Sequence, residues 1–207
     1  MIANLPNRRL YWSRHAAVPK PRTTDPLPFR HGWAMYEPYF KGKRILEIGP
    51  GRGPQFERLS PIAKSYALAD ISMGVLNNKL YDGRNRIHML DYIAPSEQFD
   101  TVTFWYVLHY VPTTEAQSFF TFVCDCMEEL GVAIFNWPDA LDVDHAAVTA
   151  MPPGDGIGIT PWRLSDLSQA MRPAGIHVEE IRYADDGDAV IIAMKNGHML
   201  KELKGGT

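Results

Sequence analysis

The chain has 207 residues, of which 45% are apolar and 22% are charged, and its formal net charge is -3 at pH 7. This composition is typical of one globular domain with a full core, and it excludes a disordered chain. No apolar run reaches the length of a membrane span, and the first residues lack the apolar core of a signal peptide. We therefore expect a cytoplasmic protein that does not contact membranes.

Residues 1–42 are predicted to form a basic, aromatic arm and lid ahead of the main domain at 43–207. Nine Lys or Arg against two acids give residues 1–44 a charge of +7, which leaves -10 for the remainder. Several prolines exclude a long helix early in this arm. The charge indicates either docking on the acidic domain itself or an anionic partner. No basic stripe continues into the domain, which favours docking and disfavours nucleic acid.

From Lys43 onward, short apolar runs alternate with helical stretches. This pattern predicts an α/β sandwich of three layers, with a mostly parallel sheet between helices. Seven strands are predicted, at 44–48, 65–69, 86–90, 101–105, 131–136, 177–182 and 189–194. An Asp-Gly turn between the last two strands predicts a hairpin, so the sheet should have an antiparallel C-terminal edge.

The chain has two cysteines, Cys124 and Cys126, on a predicted helix. They are too close together to form a disulfide comfortably and too few for a zinc site. We predict two reduced thiols packed in or near the core, and no metal site.

The first predicted strand runs directly into a glycine turn. Gly49, Gly51 and Gly53 occupy the first, third and fifth places, whereas a dinucleotide fingerprint needs its last glycine in the sixth, where Pro54 stands. Glu47, just before the turn, can accept hydrogen bonds from a cationic amine and would repel a phosphate. The turn therefore favours a compact zwitterionic ligand over a dinucleotide.

The run ILEIGPGRG at 45–53 resembles the first motif of the class I S-adenosylmethionine-dependent methyltransferases. The resemblance extends over about 43–195, through SYALAD, IHMLDY, FDTVTFWYVLHYV and WRLSDLSQAMRPAGIHVEEIRY. It implies a Rossmann-like fold with seven strands and S-adenosylmethionine as the cofactor, which leaves as S-adenosylhomocysteine. In the small-molecule members that this chain resembles, the methyl group goes to an oxygen, nitrogen or carbon atom of an organic or glycan-type acceptor.

The resemblance also implies the residues of the cofactor site. Asp70 matches the acid that holds the ribose hydroxyls in the family, and Asp91 matches the position that commonly contacts the adenine amine. Asp91 could instead cap the following helix or turn. The full set of expected cofactor contacts is Glu47, Gly49, Pro50, Gly51, Asp70, Ile71, Asp91, Tyr92 and Trp105.

Methyl transfer needs a base only if the nucleophile begins protonated. His109 is one candidate, because it would face the pocket mouth if a helix begins near Tyr106; a packing role is the alternative. His145 is the second candidate, since Asp142 and Asp144 could orient its imidazole. A helix N-terminus would account for the same acids.

The sequence lacks the motifs of several methyltransferase classes that act on other acceptors. The NPPY-type tetrapeptide of amino-directed DNA methyltransferases is replaced at 104–107, and the Pro-Cys pair of the cytosine-C5 enzymes does not occur. A small-molecule or glycan acceptor remains, with Asn136 and Trp137 as expected contacts on the ground of location. Two alternatives stay open: a cofactor-binding regulator without catalysis, and an RNA methyltransferase that uses the basic arm.

Overall fold

The computed structural model describes residues 32–89, 93–137, 162–183 and 189–196. Its centre is a seven-stranded sheet with the order β3-β2-β1-β4-β5-β7-β6. The strands are β1 Arg44–Ile48, β2 Ser65–Asp70, β3 Asn85–His88, β4 Phe99–Phe104, β5 Met127–Trp137, β6 Ile176–Tyr183 and β7 Ala189–Lys195. The neighbours β3, β2, β1, β4 and β5 pair in parallel, in that order across the sheet. Strand β7 pairs antiparallel with both β5 and β6.

The predicted α/β fold is confirmed, including its mostly parallel sheet and its antiparallel C-terminal strands. The hairpin turn itself, at 184–188, lies outside the described residues. The largest difference in bounds is β5, which begins at Met127 and not at Gly131. The four additional residues, 127–130, include two glutamates, so their pattern is not typical of a buried strand. The register of the pairing between β4 and β5 also shifts in this segment.

Helices cover both faces of the sheet. They are α1 Glu37–Phe40, α2 Pro54–Leu59, α3 Met73–Leu76, α4 Ala116–Cys126 and α5 Leu164–Met171. One buried cluster joins α4 and α5 to their face of the sheet, and a second joins α1, α2 and α3 to the opposite face. In the first cluster, Phe104 stacks on Phe135 with ring centroids 4.4 Å apart, and Phe119 meets Phe104 edge-on at 5.2 Å. This arrangement is the expected three-layer sandwich.

Both cysteines lie at the end of α4 and are buried free thiols, as predicted. Burial raises the pKa of the Cys126 thiol to about 12, so this sulfur stays protonated and packs as a small apolar group.

Of the predicted arm, the structure describes residues 32–42, and these pack on the sheet. Tyr36 and Phe40 are fully buried, and the Thr101 hydroxyl donates a hydrogen bond to the Tyr39 carbonyl. The Arg182 guanidinium lies over the Tyr36 ring, 5.2 Å from its centroid. The boundary of the arm at 42 stays a prediction.

The amino ends of the central strands are fastened together by Arg44. Its Nη2 atom lies 2.8 Å from Asp100 Oδ1 on β4 and 2.8 Å from Glu128 Oε1 on β5. The hydrogen bond from Arg44 holds the pKa of Asp100 below its ordinary value. Because the strands are parallel and in fixed register, their opposite ends also line up, and these ends carry the expected site.

Candidate active site

The glycine turn lies between two neighbouring strand ends. Ile48, the last residue of β1, is level with Ala69 on β2 and Phe104 on β4. The next residue on each strand is therefore Gly49 in the middle, Asp70 on one side and Trp105 on the other. The Gly49 N–H donates to the Ala69 carbonyl at 2.8 Å, which continues the ladder into the turn.

The turn depends on glycine for two different reasons. Gly49 has φ +66°, and a Cβ there would lie 2.5 Å from Val107 Cγ2, so only glycine lets the segment after β4 pack so closely. Gly51 has φ +55°, but a Cβ there would meet nothing closer than the Gly49 carbonyl oxygen, at 4.0 Å. Bare backbone at Gly51 therefore faces open space, which is the shape that close approach of a ligand requires.

Tyr81 supports the turn from within the protein. Its ring is fully buried and meets Phe56 edge-on at 5.2 Å. Its hydroxyl oxygen lies 3.3 Å from the Pro50 carbonyl oxygen and 3.2 Å from that of Gly51, and it donates its hydrogen to this pair. The carbonyls of the turn are thus held in one orientation.

Glu47 is a buried acid beneath the turn. Its side chain is 2% exposed, and the Tyr66 hydroxyl donates to its Oε2 at 2.9 Å. Burial raises the pKa of Glu47 to about 8, and the hydrogen bond from Tyr66 offsets part of that rise. A cation placed near this carboxyl group would favour its charged form.

The raised pKa of Glu47 predicts how stability depends on pH. The folded protein binds more protons than the unfolded chain between the ordinary value of 4.5 and about 8, so the free energy of unfolding should fall as pH rises through this window. Glu47→Gln keeps an acceptor for Tyr66 and cannot ionise, so its unfolding free energy should fall less. Urea unfolding of both proteins across the window measures this; parallel curves would contradict the burial of an ionisable Glu47.

Asp70 lies at the end of β2 and is also buried, with 8% of its surface exposed. Its Oδ1 accepts the Ser72 backbone N–H at 2.7 Å. Burial raises the pKa of Asp70 to about 7, while backbone hydrogen bonds from Ser72 and Ile71 lower it in part. The Ile71 carbonyl oxygen lies 3.1 Å from His88 Nε2, so the chain after Asp70 is anchored to β3. The carboxylate retains capacity for further donors, such as a pair of hydroxyls.

The ends of β4 and β5 form the other wall. Tyr106 has φ +59°, an unusual conformation for a bulky residue, and its N–H donates to Asn136 Oδ1. Trp105 Nε1 and Asn136 Nδ2 are both buried, and neither has a hydrogen-bond partner among the described residues. Strained backbone and unpaired buried donors cluster at functional sites more often than elsewhere.

A family model described as a methyltransferase domain matches residues 30–181, which is most of the chain. The chain belongs to the S-adenosylmethionine-dependent methyltransferases. This confirms the family that the glycine turn and its downstream segments resemble, and it identifies the protein as an enzyme.

Solved structures of methyltransferases have the same fold as this chain. The N-methyltransferase NodS from Bradyrhizobium japonicum, in complex with S-adenosylhomocysteine, superposes with a TM-score of 0.64 at 16% identity, over 93% of this chain and 100% of NodS. DhpI, also in complex with S-adenosylhomocysteine, superposes with a TM-score of 0.67 at 17% identity, over 94% of this chain and 98% of DhpI. Magnesium protoporphyrin IX methyltransferase from Synechocystis superposes with a TM-score of 0.63 at 16% identity, over 93% of this chain and 99% of that enzyme. At these identities the likeness shows the fold alone. No curated protein sequence matches this one.

The structure brings most of the expected cofactor residues of the methyltransferase to one place. Glu47, Gly49, Pro50, Gly51, Asp70, Ile71 and Trp105 all lie at or just beyond the carboxyl ends of β1, β2 and β4. Asp91, Tyr92 and His145 lie outside the described residues, as do Asp142 and Asp144. Their roles stay predictions.

The helix expected to begin near Tyr106 does not begin there. His109 lies instead in a 3-10 turn, Leu108–Tyr110, and α4 begins only at Ala116. Pro112 explains the delay, because the residue before a proline avoids the helical region, and Val111 is extended. The structure therefore fixes the backbone position of His109, whose role as a base stays a prediction.

Two tyrosines of the site were missed by sequence reasoning. Tyr66 and Tyr81 carry no motif of their own, and they reach Glu47 and the glycine turn from β2 and from a 3-10 turn. Within the described ranges, no three His, Cys, Asp or Glu side chains gather closely enough to hold a metal ion. The same part of the chain contains no helix long and apolar enough to cross a bilayer.

Proposed function

We propose that this methyltransferase binds S-adenosylmethionine over the Gly49–Gly53 bend and moves its methyl group to a small organic or glycan-type acceptor. The observation that carries this proposal is the bare backbone at Gly51, which faces open space at the edge of the sheet where the buried Glu47 and Asp70 also lie.

The chemistry of these groups fits the cofactor. Burial raises the pKa values of Glu47 and Asp70, and a cationic ligand with hydroxyl donors would favour the charged forms of these carboxyl groups, whereas a phosphate would oppose them. In the proposed arrangement Glu47 attracts the cationic amino acid portion and Asp70 accepts the two ribose hydroxyls. Ile71, Asp91 and Tyr92 surround the adenine, and Pro50 and Trp105 complete the walls.

When bound, the cofactor supplies an electrophilic methyl group on a sulfonium. The protein's part is to hold an acceptor atom in line with that group and to exclude water. The fixed turn, held by Tyr81 and packed against Val107, would orient the cofactor for this alignment. His109 and His145 are the proposed bases for an acceptor that begins protonated.

A small acceptor is supported by the fold neighbours, among them a magnesium protoporphyrin IX methyltransferase. An RNA acceptor would depend on the basic arm, and binding to RNA should then weaken steeply with salt. Affinity that does not fall with salt would count against it. A cytoplasmic location stays a prediction from the sequence.

Calorimetry tests the cofactor assignment. S-adenosylhomocysteine should bind the full chain with one site, and NADH, followed by its fluorescence, should not. Undetectable binding of S-adenosylhomocysteine would overturn the proposal. Incubation with labelled S-adenosylmethionine and a cell extract should then transfer label to a small component, and the persistent lack of transfer would favour a regulatory protein without catalysis.

Tyr81→Phe tests the support of the turn. The variant keeps the buried ring but loses the hydroxyl that donates to the Pro50 and Gly51 carbonyls. We expect S-adenosylhomocysteine to bind about three- to tenfold more weakly, as the loss of one neutral hydrogen bond predicts. Titration calorimetry measures this, and a thermal melt of the same variant separates loss of binding from loss of fold. Unchanged affinity would show that Tyr81 does not position the turn.

A further inference from the structure

Two buried hydrogen-bond donors lie side by side at the carboxyl edge of the sheet and are not explained by the fold. Phe104 on β4 is level with Phe135 on β5, so the residues that follow, Trp105 and Asn136, are neighbours on adjacent strands. Trp105 is 7% exposed and Asn136 is 1% exposed. Within the part of the chain that the structure describes, the Trp105 Nε1 and Asn136 Nδ2 atoms have no hydrogen-bond partner.

The orientation of the Asn136 amide is fixed. Its Oδ1 accepts the Tyr106 backbone N–H, so its Nδ2 must point its hydrogens elsewhere. An indole N–H can only donate. The two unpartnered nitrogen atoms, Trp105 Nε1 and Asn136 Nδ2, are therefore both donors, and their complement is an acceptor such as a carboxylate oxygen.

A buried donor without a partner lowers the stability of the folded protein, because the hydrogen bond that it made to water in the unfolded chain is not replaced. The protein nevertheless holds Tyr106 at φ +59°, the conformation in which its N–H meets Asn136. The contact with Tyr106 accounts for the Asn136 oxygen but for neither of the two donors. Its position next to the glycine turn, and not deep in the sheet, indicates a ligand.

The surroundings indicate the kind of ligand. Trp105 belongs to the buried apolar cluster on the face that α1, α2 and α3 cover, and aromatic members of this cluster include Tyr36 and Tyr66. Aromatic side chains of this kind favour a planar, largely apolar body. The donors would then fix one polar edge of that body.

We propose that Trp105 and Asn136 orient the methyl acceptor by donating hydrogen bonds to an oxygen group on it, and that the acceptor is an aromatic or similarly planar molecule with a carboxylate or phenolic oxygen. This inference rests on the proposed function. The same oxygen chemistry exists in the carboxylate of the cofactor, and the test below separates the two sources.

The probe is benzoate, with benzylamine as the matched control that replaces the oxygen group by an amine. The full chain, labelled with nitrogen-15, is titrated with each probe, with and without S-adenosylhomocysteine, and the indole and side-chain amide signals are followed by NMR. Trp105→Phe assigns its indole signal. Trp162 is the internal control, because its Nε1 already donates to the Leu108 carbonyl at 2.8 Å.

We expect benzoate, but not benzylamine, to move the Trp105 indole and one Asn136 amide proton downfield while the Trp162 signal stays in place. Asn136→Asp, which keeps the acceptor for Tyr106 and removes the donor, should weaken benzoate binding about tenfold or more and change S-adenosylhomocysteine affinity less than about twofold.

Two results would overturn the inference. One is that benzoate moves neither signal in wild type, whether or not S-adenosylhomocysteine is present. The other is that S-adenosylhomocysteine alone moves both signals and Asn136→Asp weakens its binding about tenfold or more, which would assign the donors to the cofactor. Failure of S-adenosylhomocysteine to bind wild type would overturn the proposed function instead, and the benzoate titration would still decide the role of the donors.

Discussion

Gly51→Ala should abolish or greatly weaken the binding of S-adenosylhomocysteine while the protein stays folded. The new Cβ would meet no protein atom closer than 4.0 Å, so it projects into the space that the cofactor is proposed to fill. Overpacking of this kind costs about 1 to 3 kcal/mol, which corresponds to an affinity loss of about five- to more than a hundredfold. Calorimetry at one pH and temperature measures the change.

Gly42→Ala is the matched control for this experiment. Gly42 has φ +70°, close to the value at Gly51, and a Cβ there would also meet no atom within 4 Å. Both variants therefore carry a similar backbone penalty of about 1 to 2 kcal/mol in stability. Only Gly51→Ala should lose binding. Equal affinities for the two variants would show that the open space at Gly51 is not the cofactor site.

Asp70→Asn should weaken S-adenosylhomocysteine binding about ten- to a hundredfold, because hydrogen bonds from the ribose hydroxyls to a charged acceptor are replaced by weaker neutral ones. Asn has nearly the same shape and can still accept the Ser72 N–H, so the end of β2 should be preserved. A melting temperature close to that of wild type would confirm that the loss concerns binding.

The same carboxyl group predicts the pH dependence of binding. In the free protein the pKa of Asp70 is about 7, and the ligand favours the ionised form. Below that pH a proton must leave Asp70 before the ligand binds, so affinity should rise with pH up to about 7, and the ionisation of Glu47, whose pKa is about 8, should extend the rise to about that pH. Asp70→Asn should lose most of this rise, and Glu47 would account for the part that remains. Wild-type affinity that is flat across the range would contradict a role for either acid.

The sequence alone was sufficient for features that depend on local pattern. Apolar runs and turn residues predicted all seven strands, because parallel buried strands have a strong signal of their own. The glycine turn and Asp70 were predictable since both are tied to the ends of those strands. The bounds of β5 were less certain because its first residues are polar and its pairing with β4 is irregular.

Contacts made across long stretches of sequence could not be predicted. Tyr81 reaches the turn from about thirty residues away, and Asn136 meets Tyr106 across the same distance. Nothing in the local pattern around these residues marks a partner. The end of the 3-10 turn at His109 also depends on Pro112, which keeps the preceding Val111 extended.

A crystal structure with bound S-adenosylhomocysteine is the most direct measurement. It should place the ribose hydroxyls within about 3 Å of the Asp70 carboxylate, as hydrogen bonds require, with the sulfur beside the backbone of Gly51. The side of the sulfur atom on which S-adenosylmethionine carries its methyl group should face Trp105 and Asn136. A ligand bound elsewhere, or one bound at the turn without contact to Asp70, would contradict a cofactor site formed by the first glycine turn and the acid at the end of the second strand.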